Sequence, residues 1–187
     1  PKSFGDVSLG RHRLGFEELL VVHLAVQQER AALEQSPSVH IPFNQEKTIS
    51  FVQRLPFTLT PGQKRSAWDI LQDMDKPHPM NRLVEGDVGS GKTVVAAIAI
   101  LNVAAAGCQT AYLAPTEVLA RQHFEKITKL LKPFGTRVGL FTQASRRFST
   151  SDKAITKPAM LHTLKAGEVD LVNGTPTLIT GKVEYSK

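Results

Sequence analysis

The sequence is poor in the residues that staple, span or anchor a chain. Its 187 residues include one cysteine, Cys108, so no internal disulfide can form. Cys108 follows "VAAAG" and reads as a small buried filler in a reducing compartment rather than as a catalytic thiol. No apolar run reaches the ~18 residues of a membrane span, and no charged-then-apolar leader with a small-residue cleavage site opens the chain. The six histidines, His12, His23, His40, His78, His123 and His162, are scattered without metal-ligand spacing. No Ser-His-Asp or paired-carboxylate constellation can be argued from residue order. Acidic residues are also in short supply: 17 Asp and Glu face 23 Lys and Arg, giving a net charge of +6. That balance points to a polyanionic partner such as nucleic acid. Pro1 stands where an initiating methionine would, so a processed product or a piece of something longer is expected.

The remaining composition suits a globular fold, with 41 % hydrophobic residues. Residues 9–34 read as one long helix, with Leu14, Phe16, Leu20, Leu24 and Ala31 near one stripe. Pro37 and Pro42 break it, and a second helix over 44–54 starts at Asn44. Thr60 followed by Pro61 is a helix start, and Trp68 on that helix is expected to pack in the core. Beyond it, strands alternate with helices. "NRLVEG", "TAYLA", "RVGLF" and "VDLVNG" read as strands, and the segments between read as helices. The polar, basic stretch Thr142–Lys157 is expected to be a mobile surface loop. Alternation of this kind implies a mostly parallel sheet covered on both faces, an α/β class.

Gly86 to Thr93 fit G-x-x-x-x-G-K-[ST] between a predicted strand and an apolar helix. In such a loop Gly86, Gly89 and Gly91 permit backbone angles closed to other residues, so that N–H groups across Asp87, Val88 and Ser90 converge on phosphate oxygens. Lys92 supplies a point charge to the β- and γ-phosphates, and Thr93 offers a hydroxyl to Mg2+. The plain alternative, a glycine-rich turn, leaves the Lys-Thr pair unexplained. Upstream, Gln63 carries an amide donor and acceptor that match adenine N6 and N7, and Phe57 could stack on the base. Gln63 therefore favours ATP over GTP, against the alternative of a solvated helix residue. No Asn-Lys-x-Asp guanine signature occurs.

"LPFTLTPGQKRS", "MNRLVEGDVGSGKTVVAA", "YLAPTEVLARQHFEK" and "GTPTLI" occur in the order and spacing of superfamily 2 helicases. Together with "RHRLGFEELLVVHLA" they resemble the RecG family of bacterial ATP-dependent helicases. The resemblance runs from about Arg11 to Val183. It implies a RecA-like three-layer sandwich over 55–187, preceded by a helical linker over 1–54 that joins a wedge domain to the motor. It implies ATP and Mg2+ as cofactors, branched or single-stranded DNA as a sequence-tolerant partner, action at replication forks and recombination intermediates, and a cytoplasmic location. It also implies DNA-backbone contacts from Ala114–Glu117 (Pro115, Thr116 and Glu117 within it) and from Gly174–Thr175. Both segments follow strands, where ligands of parallel sheets gather, and Thr116 opens a helix whose N–H groups suit a phosphate. Two departures stand out. Pro176 replaces the family's usual residue and removes an N–H, and "TQAS", Thr142 to Ser145, stands where "TGS" is usual.

One residue the chemistry needs is missing. Magnesium is normally shared between the loop threonine and an acid ending a second apolar strand. Asp73, Asp75, Asp87, Glu168 and Asp170 do not follow four apolar residues. By the resemblance, the Asp-Glu-x-His strand would begin just past Lys187, and the second motor lobe and the wedge are absent. The expectation is a first motor lobe with a truncated sheet, able to bind ATP weakly but not to turn it over, and prone to associate through exposed surface. Rival readings are a non-catalytic nucleotide- or DNA-binding module on the same lobe, and a small-molecule P-loop kinase, which leaves "PFTLTPGQ" and "APTEVLA" unexplained.

Overall fold

The computed structural model describes residues 4–151, 153–179 and 183–186. Residues 1–3 of the expected linker, Asp152, residues 180–182 and Lys187 lie outside the described residues. The chain divides into two compact units: one holds residues 1–40 and 76–80, the other 41–75 and 81–187.

The first unit is built on α1 (Phe4–Glu34). Ser38 N donates to the Pro77 carbonyl at 3.1 Å and joins the two segments of the unit. The apolar residues of α1 do not form a buried stripe: Leu9, Leu14, Leu19, Val21 and Val22 are all exposed. A helix with this much apolar surface in water needs a covering partner. The protein is therefore expected to self-associate with rising concentration in analytical ultracentrifugation. The double substitution Leu19→Glu and Val22→Glu should shift the profile towards monomer, and a monodisperse wild-type monomer would contradict the expectation.

The second unit starts before, not after, the second helix. The boundary expected at 54/55 thus differs from the division at 40/41. The reason is packing, since α2 (Gln45–Gln53) buries Phe51 in the same core as α3 (Pro61–Met74) and α4 (Lys92–Ala105). A buried amide fastens this arrangement. Asn102 Oδ1 accepts from Asn44 N at 2.8 Å, while its Nδ2 donates to the Ile98 carbonyl at 2.9 Å and to Thr48 Oγ1 at 3.0 Å. Asn44 itself caps α2 by accepting from Lys47 N. Helix α4 is apolar on every side and correspondingly buried, through Val94, Val95, Ala97, Ile98, Ile100 and Leu101.

The sheet has the order β1 (Thr110–Leu113), β4 (Leu171–Gly174), β2 (Val138–Phe141), β3 (Arg146–Phe148). The first three strands are parallel, and β3 runs antiparallel to β2. Side chains alternate between faces as strand geometry requires. Val138, Leu140 and Leu171 join the core that contains α2 to α5, with α5 spanning Glu117–Leu131. Phe141 and Val172 join Met160 and Leu164 of α6 (Lys157–Lys165) in a second core. Helices therefore cover both faces, giving the three-layer α/β arrangement. Cys108 is buried, as its sequence context suggested.

Three expectations are corrected. The predicted strand 81–86 forms no regular element and pairs with no strand among the described residues, and Leu83 is 81 % exposed. A strand exists only by hydrogen bonding to a neighbour, and β1, at the sheet edge, pairs with β4 alone. The basic segment after Thr142 is not simply a loop. Residues 146–148 form the β3 edge strand, held by Arg147 stacking over Phe124 at 5.1 Å and pairing with Glu125 at 3.5 Å. Trp68 is not a core residue: it is 48 % exposed and meets Phe43 edge-on at 5.3 Å.

On α5, the His123 ring packs against Tyr112 with centroids 5.1 Å apart, and Tyr112 Oη lies 3.4 Å from His123 Nδ1. Burial, helped by Lys126, holds the imidazole below its ordinary pKa, and burial raises the Tyr112 phenol. A folded-state pKa below the unfolded value means the unfolded chain binds the extra proton first. The His123 contribution to stability is thus complete above about pH 6.5 and is lost as pH falls below it. In thermal melts from pH 7.5 to 5, His123→Gln should flatten part of the acid-side decline; parallel curves for the two proteins would remove His123 as a cause.

Candidate nucleotide and nucleic-acid site

The phosphate loop sits between the unpaired segment 81–86 and α4, and two of its glycines are dictated by geometry. Gly89 and Gly91 have φ of 86° and 85°, in the left-handed region. A Cβ on Gly91 would fall on the Gln63 amide, and one on Gly86 would stand 2.7 Å from Ser90 Oγ. Ser90 N donates to the Asp87 carbonyl at 3.1 Å and closes the turn. Asp87, Val88, Gly89 and Ser90 are exposed. Gly91 occupies the N-cap of α4 with no side-chain cap, so the first amides of that helix, at Lys92 and Thr93, have no partner among the described residues.

Lys92 fills the space the loop encloses. Its Nζ donates to the Gly86 carbonyl and to the Asp87 carbonyl, the latter at 2.9 Å. An ammonium held only by carbonyl oxygens is poised to exchange them for more negative ones. Thr93 lies one residue into α4, half-buried. Glycines at positive φ, unpartnered helix-start amides, a cation on the loop and an adjacent hydroxyl form a donor set that fits a polyphosphate and its metal.

Gln63 is placed differently from the expectation. It completes a capping box on α3, with Gln63 N donating to Thr60 Oγ1 at 3.2 Å and Gln63 Oε1 accepting from Thr60 N at 2.9 Å. Its Nε2 donates to the Ser90 carbonyl at 2.8 Å. Both ends of the amide expected to face adenine are thus occupied, and the side chain ties α3 to the phosphate loop. The sequence held a signal for the box, since glutamine sits at the third helical position after a threonine cap, but none for the bond across to Ser90. Phe57, 47 % exposed, lines a neighbouring cavity of ≈ 450 Å³ with Leu55, Pro56, Thr58 and Lys64.

The segments expected to meet DNA converge. In the parallel ladder Leu113 pairs with Gly174, and Gly174 pairs with Phe141. The chain after each strand, Ala114–Glu117, Thr175 onward and Thr142–Ser145, therefore leaves the sheet along one edge. Ala114 N donates to the Gly174 carbonyl at 2.8 Å. Thr116 caps α5 by accepting from Leu119 N at 3.3 Å, next to exposed Pro115. Glu117 Oε1 accepts from Ala144 N at 3.1 Å and joins two of these segments. Pro176 occupies the first position of the short 3₁₀ turn Pro176–Leu178, where its missing N–H costs nothing. Thr175 Oγ1 lies 3.0 Å from Thr177 Oγ1.

Asp170 is accounted for at the opposite end of the strands. Its carboxylate accepts from Arg137 Nη2 at 2.6 Å and from Arg137 N at 2.7 Å, before β2 and β4 begin. Among the described residues no three His, Cys, Asp or Glu side chains converge as a metal site. None of their helices is long and apolar enough to cross a membrane.

Residues 60–184 match the family model of the DEAD/DEAH box helicase. The chain is 39 % identical over 186 residues to the ATP-dependent DNA helicase RecG of Bacillus subtilis, covering 99 % of this chain and 26 % of that protein. It is 41 % identical over 190 residues to RecG of Haemophilus influenzae, covering 97 % of this chain and 26 % of that one. The solved structure of RecG bound to a three-way DNA junction superposes with a TM-score of 0.86 at 38 % identity, covering 99 % of this chain and 24 % of the other. The chain spans about a quarter of the length of these curated relatives. With its phosphate loop, capping glutamine and strand-end turns in this arrangement, the chain belongs to the DEAD/DEAH box helicase family.

Proposed function

We propose that this chain is the ATP-gripping part of the first motor lobe of a helicase that acts on branched DNA; its relatives are named ATP-dependent DNA helicase RecG, and one RecG is solved bound to a three-way DNA junction. The observation that carries the proposal is the cradle at Gly86–Thr93, with its positive-φ glycines, free helix-start amides and inward Lys92. When bound, ATP with Mg2+ supplies the phosphoanhydride whose cleavage powers such motors. The chain's own part is to hold it. With nucleotide bound, the amides of Gly89, Gly91, Lys92 and Thr93 would donate to phosphate oxygens, Lys92 would exchange its two carbonyls for them, and the Thr93 hydroxyl would hold the metal. Phe57 borders the cavity on the base side, and Gln63 reads adenine on releasing the Thr60 amide and the Ser90 carbonyl that hold it.

The strand-end turns at Pro115–Glu117 and Gly174–Thr175 are the DNA side of the same lobe. Their backbone and hydroxyl groups recognise phosphates rather than base edges, so binding is sequence-tolerant and weakens with salt. The remaining domains of the longer helicase, a wedge and a second motor lobe, are the partners required for movement, because translocation needs two lobes closing on the nucleotide.

Two assays test this. A radiolabelled phosphate-release assay with magnesium-ATP should show no steady turnover by this chain, and turnover abolished by Lys92→Ala would contradict the division of labour. In nucleotide competition, wild type should prefer ATP to GTP and Gln63→Ala should lose the preference. Equal weakening of both nucleotides would make Gln63 a clamp on the loop and nothing more.

A further inference from the structure

Beside the Gly174–Thr175 turn lies a cavity of ≈ 450 Å³ that none of the motifs accounts for. Its lining includes Thr142 and Gln143 after β2, Arg146 at the start of β3, Lys157 at the start of α6 and Thr177 of the 3₁₀ turn, with Phe141 and Val183 as its apolar part. Both charged residues that line it are cations. Glu117 touches the same turn by accepting from Ala144 N at 3.1 Å and is not among the lining residues.

The two cations are held differently. Arg146 Nη1 donates to the Thr142 carbonyl at 3.2 Å and to the Gln143 carbonyl at 3.0 Å, which fixes the guanidinium at the cavity. Among the described residues its Nε is buried without a partner, an uncommon state for a charged donor. Lys157 is exposed, and no ion pair occupies it among the described residues. It opens α6, whose cap Thr156 accepts from Ala159 N and whose N-terminal end adds a positive potential. Arg147, one residue from Arg146, is different: it is spent on Glu125 and Phe124.

We propose that this cavity is an oxyanion subsite for one phosphodiester group of the bound DNA strand, held by Arg146 and Lys157. The proposal rests on the DNA-binding reading above. The ladder register puts Phe141 beside Gly174, so the subsite continues the line of strand-end turns by one further phosphate. A backbone passing Thr116 and Thr175 would reach it without leaving that edge. Here the altered "TQAS" turn and the basic segment after it find a role: β3 begins with Arg146, and α6 begins with Lys157, both lining the cavity.

The test is fluorescence anisotropy with a fluorescein-labelled oligo-dT strand, using wild type, Lys157→Gln and Arg146→Gln across about 50 to 200 mM salt. Each variant should weaken binding to all sequences alike and reduce the slope of log affinity against log salt by about 0.7, the loss of one single-strand phosphate contact. Lys157 is exposed and has no ion pair among the described residues, so Lys157→Gln should melt with wild type and keeps the test valid if Arg146→Gln unfolds. In parallel, inorganic phosphate is titrated into isotopically labelled wild type, and amide shifts should concentrate at Thr142–Arg146 and Lys157. Tight oligonucleotide binding with unchanged affinity and salt slope in Lys157→Gln overturns the subsite while leaving the helicase-lobe reading intact. Phosphate shifts at these residues without any oligonucleotide binding support an anion site but overturn DNA as its source. No binding of either probe overturns both.

Discussion

Lys92→Ala is expected to weaken magnesium-ATP binding by about 10- to 100-fold while leaving the melting temperature nearly unchanged. The affinity estimate follows from chemistry. Charge-assisted hydrogen bonds to phosphate are worth about 1.5–3 kcal/mol, and each 1.4 kcal/mol is a factor of about ten. The stability estimate follows from structure. Lys92 is exposed and its present partners are the carbonyls of Gly86 and Asp87, which water can satisfy once the side chain is gone. Binding loss without stability loss separates a ligand role from a folding role. Isothermal titration and a melting curve on the same sample decide it, and a Lys92→Ala protein that binds ATP as wild type does would remove the loop from nucleotide recognition.

Gly174→Ala is expected to do the reverse and cripple the fold. Strand β4 lies between β1 and β2. A Cβ at Gly174 would collide with the Phe141 carbonyl of β2 and stand 2.8 Å from Leu178 Cδ1. The side chain could yield, but the carbonyl belongs to the neighbouring strand, which cannot retreat without opening the parallel ladder. Overpacking against backbone puts the cost at about 4 kcal/mol or more, beyond the usual range for a point substitution. For a domain of this size that corresponds to a fall of roughly 10 °C or more in melting temperature. Gly62→Ala is the control, because its Cβ meets nothing nearer than 4.0 Å and sits in the first turn of α3. A Gly174→Ala protein melting with wild type would mean that β2 and β4 are not spaced as described.

Local chemistry was legible where one residue decides one bond. Asn44, Thr60 and Thr116 could be read as helix caps, because a short oxygen-bearing side chain before an amphipathic run has little else to do, and each accepts the expected amide. Strands β1, β2 and β4 were readable from their apolar character, as was α4. What escaped depended on partners far along the chain. "NRLVEG" has strand composition, but composition cannot supply the neighbour that a ladder needs. "RRF" looks like solvated charge until Phe124 and Glu125, on another helix, take up Arg147. Asn102 lies inside an apolar run with no mark that Asn44 and Thr48 would satisfy it. The Gln63–Ser90 bond joins residues 27 apart, and only the folded chain shows the amide turned from the base side to the loop.

The proposed motor role requires that Gly86–Thr93, with Lys92 at its centre, bind the polyphosphate of ATP. Calorimetric titration of folded wild-type protein with millimolar magnesium-ATP tests it most directly. The account predicts a saturable heat with one nucleotide per chain, lost in Lys92→Ala. Absence of any binding heat from correctly folded wild-type protein would contradict it.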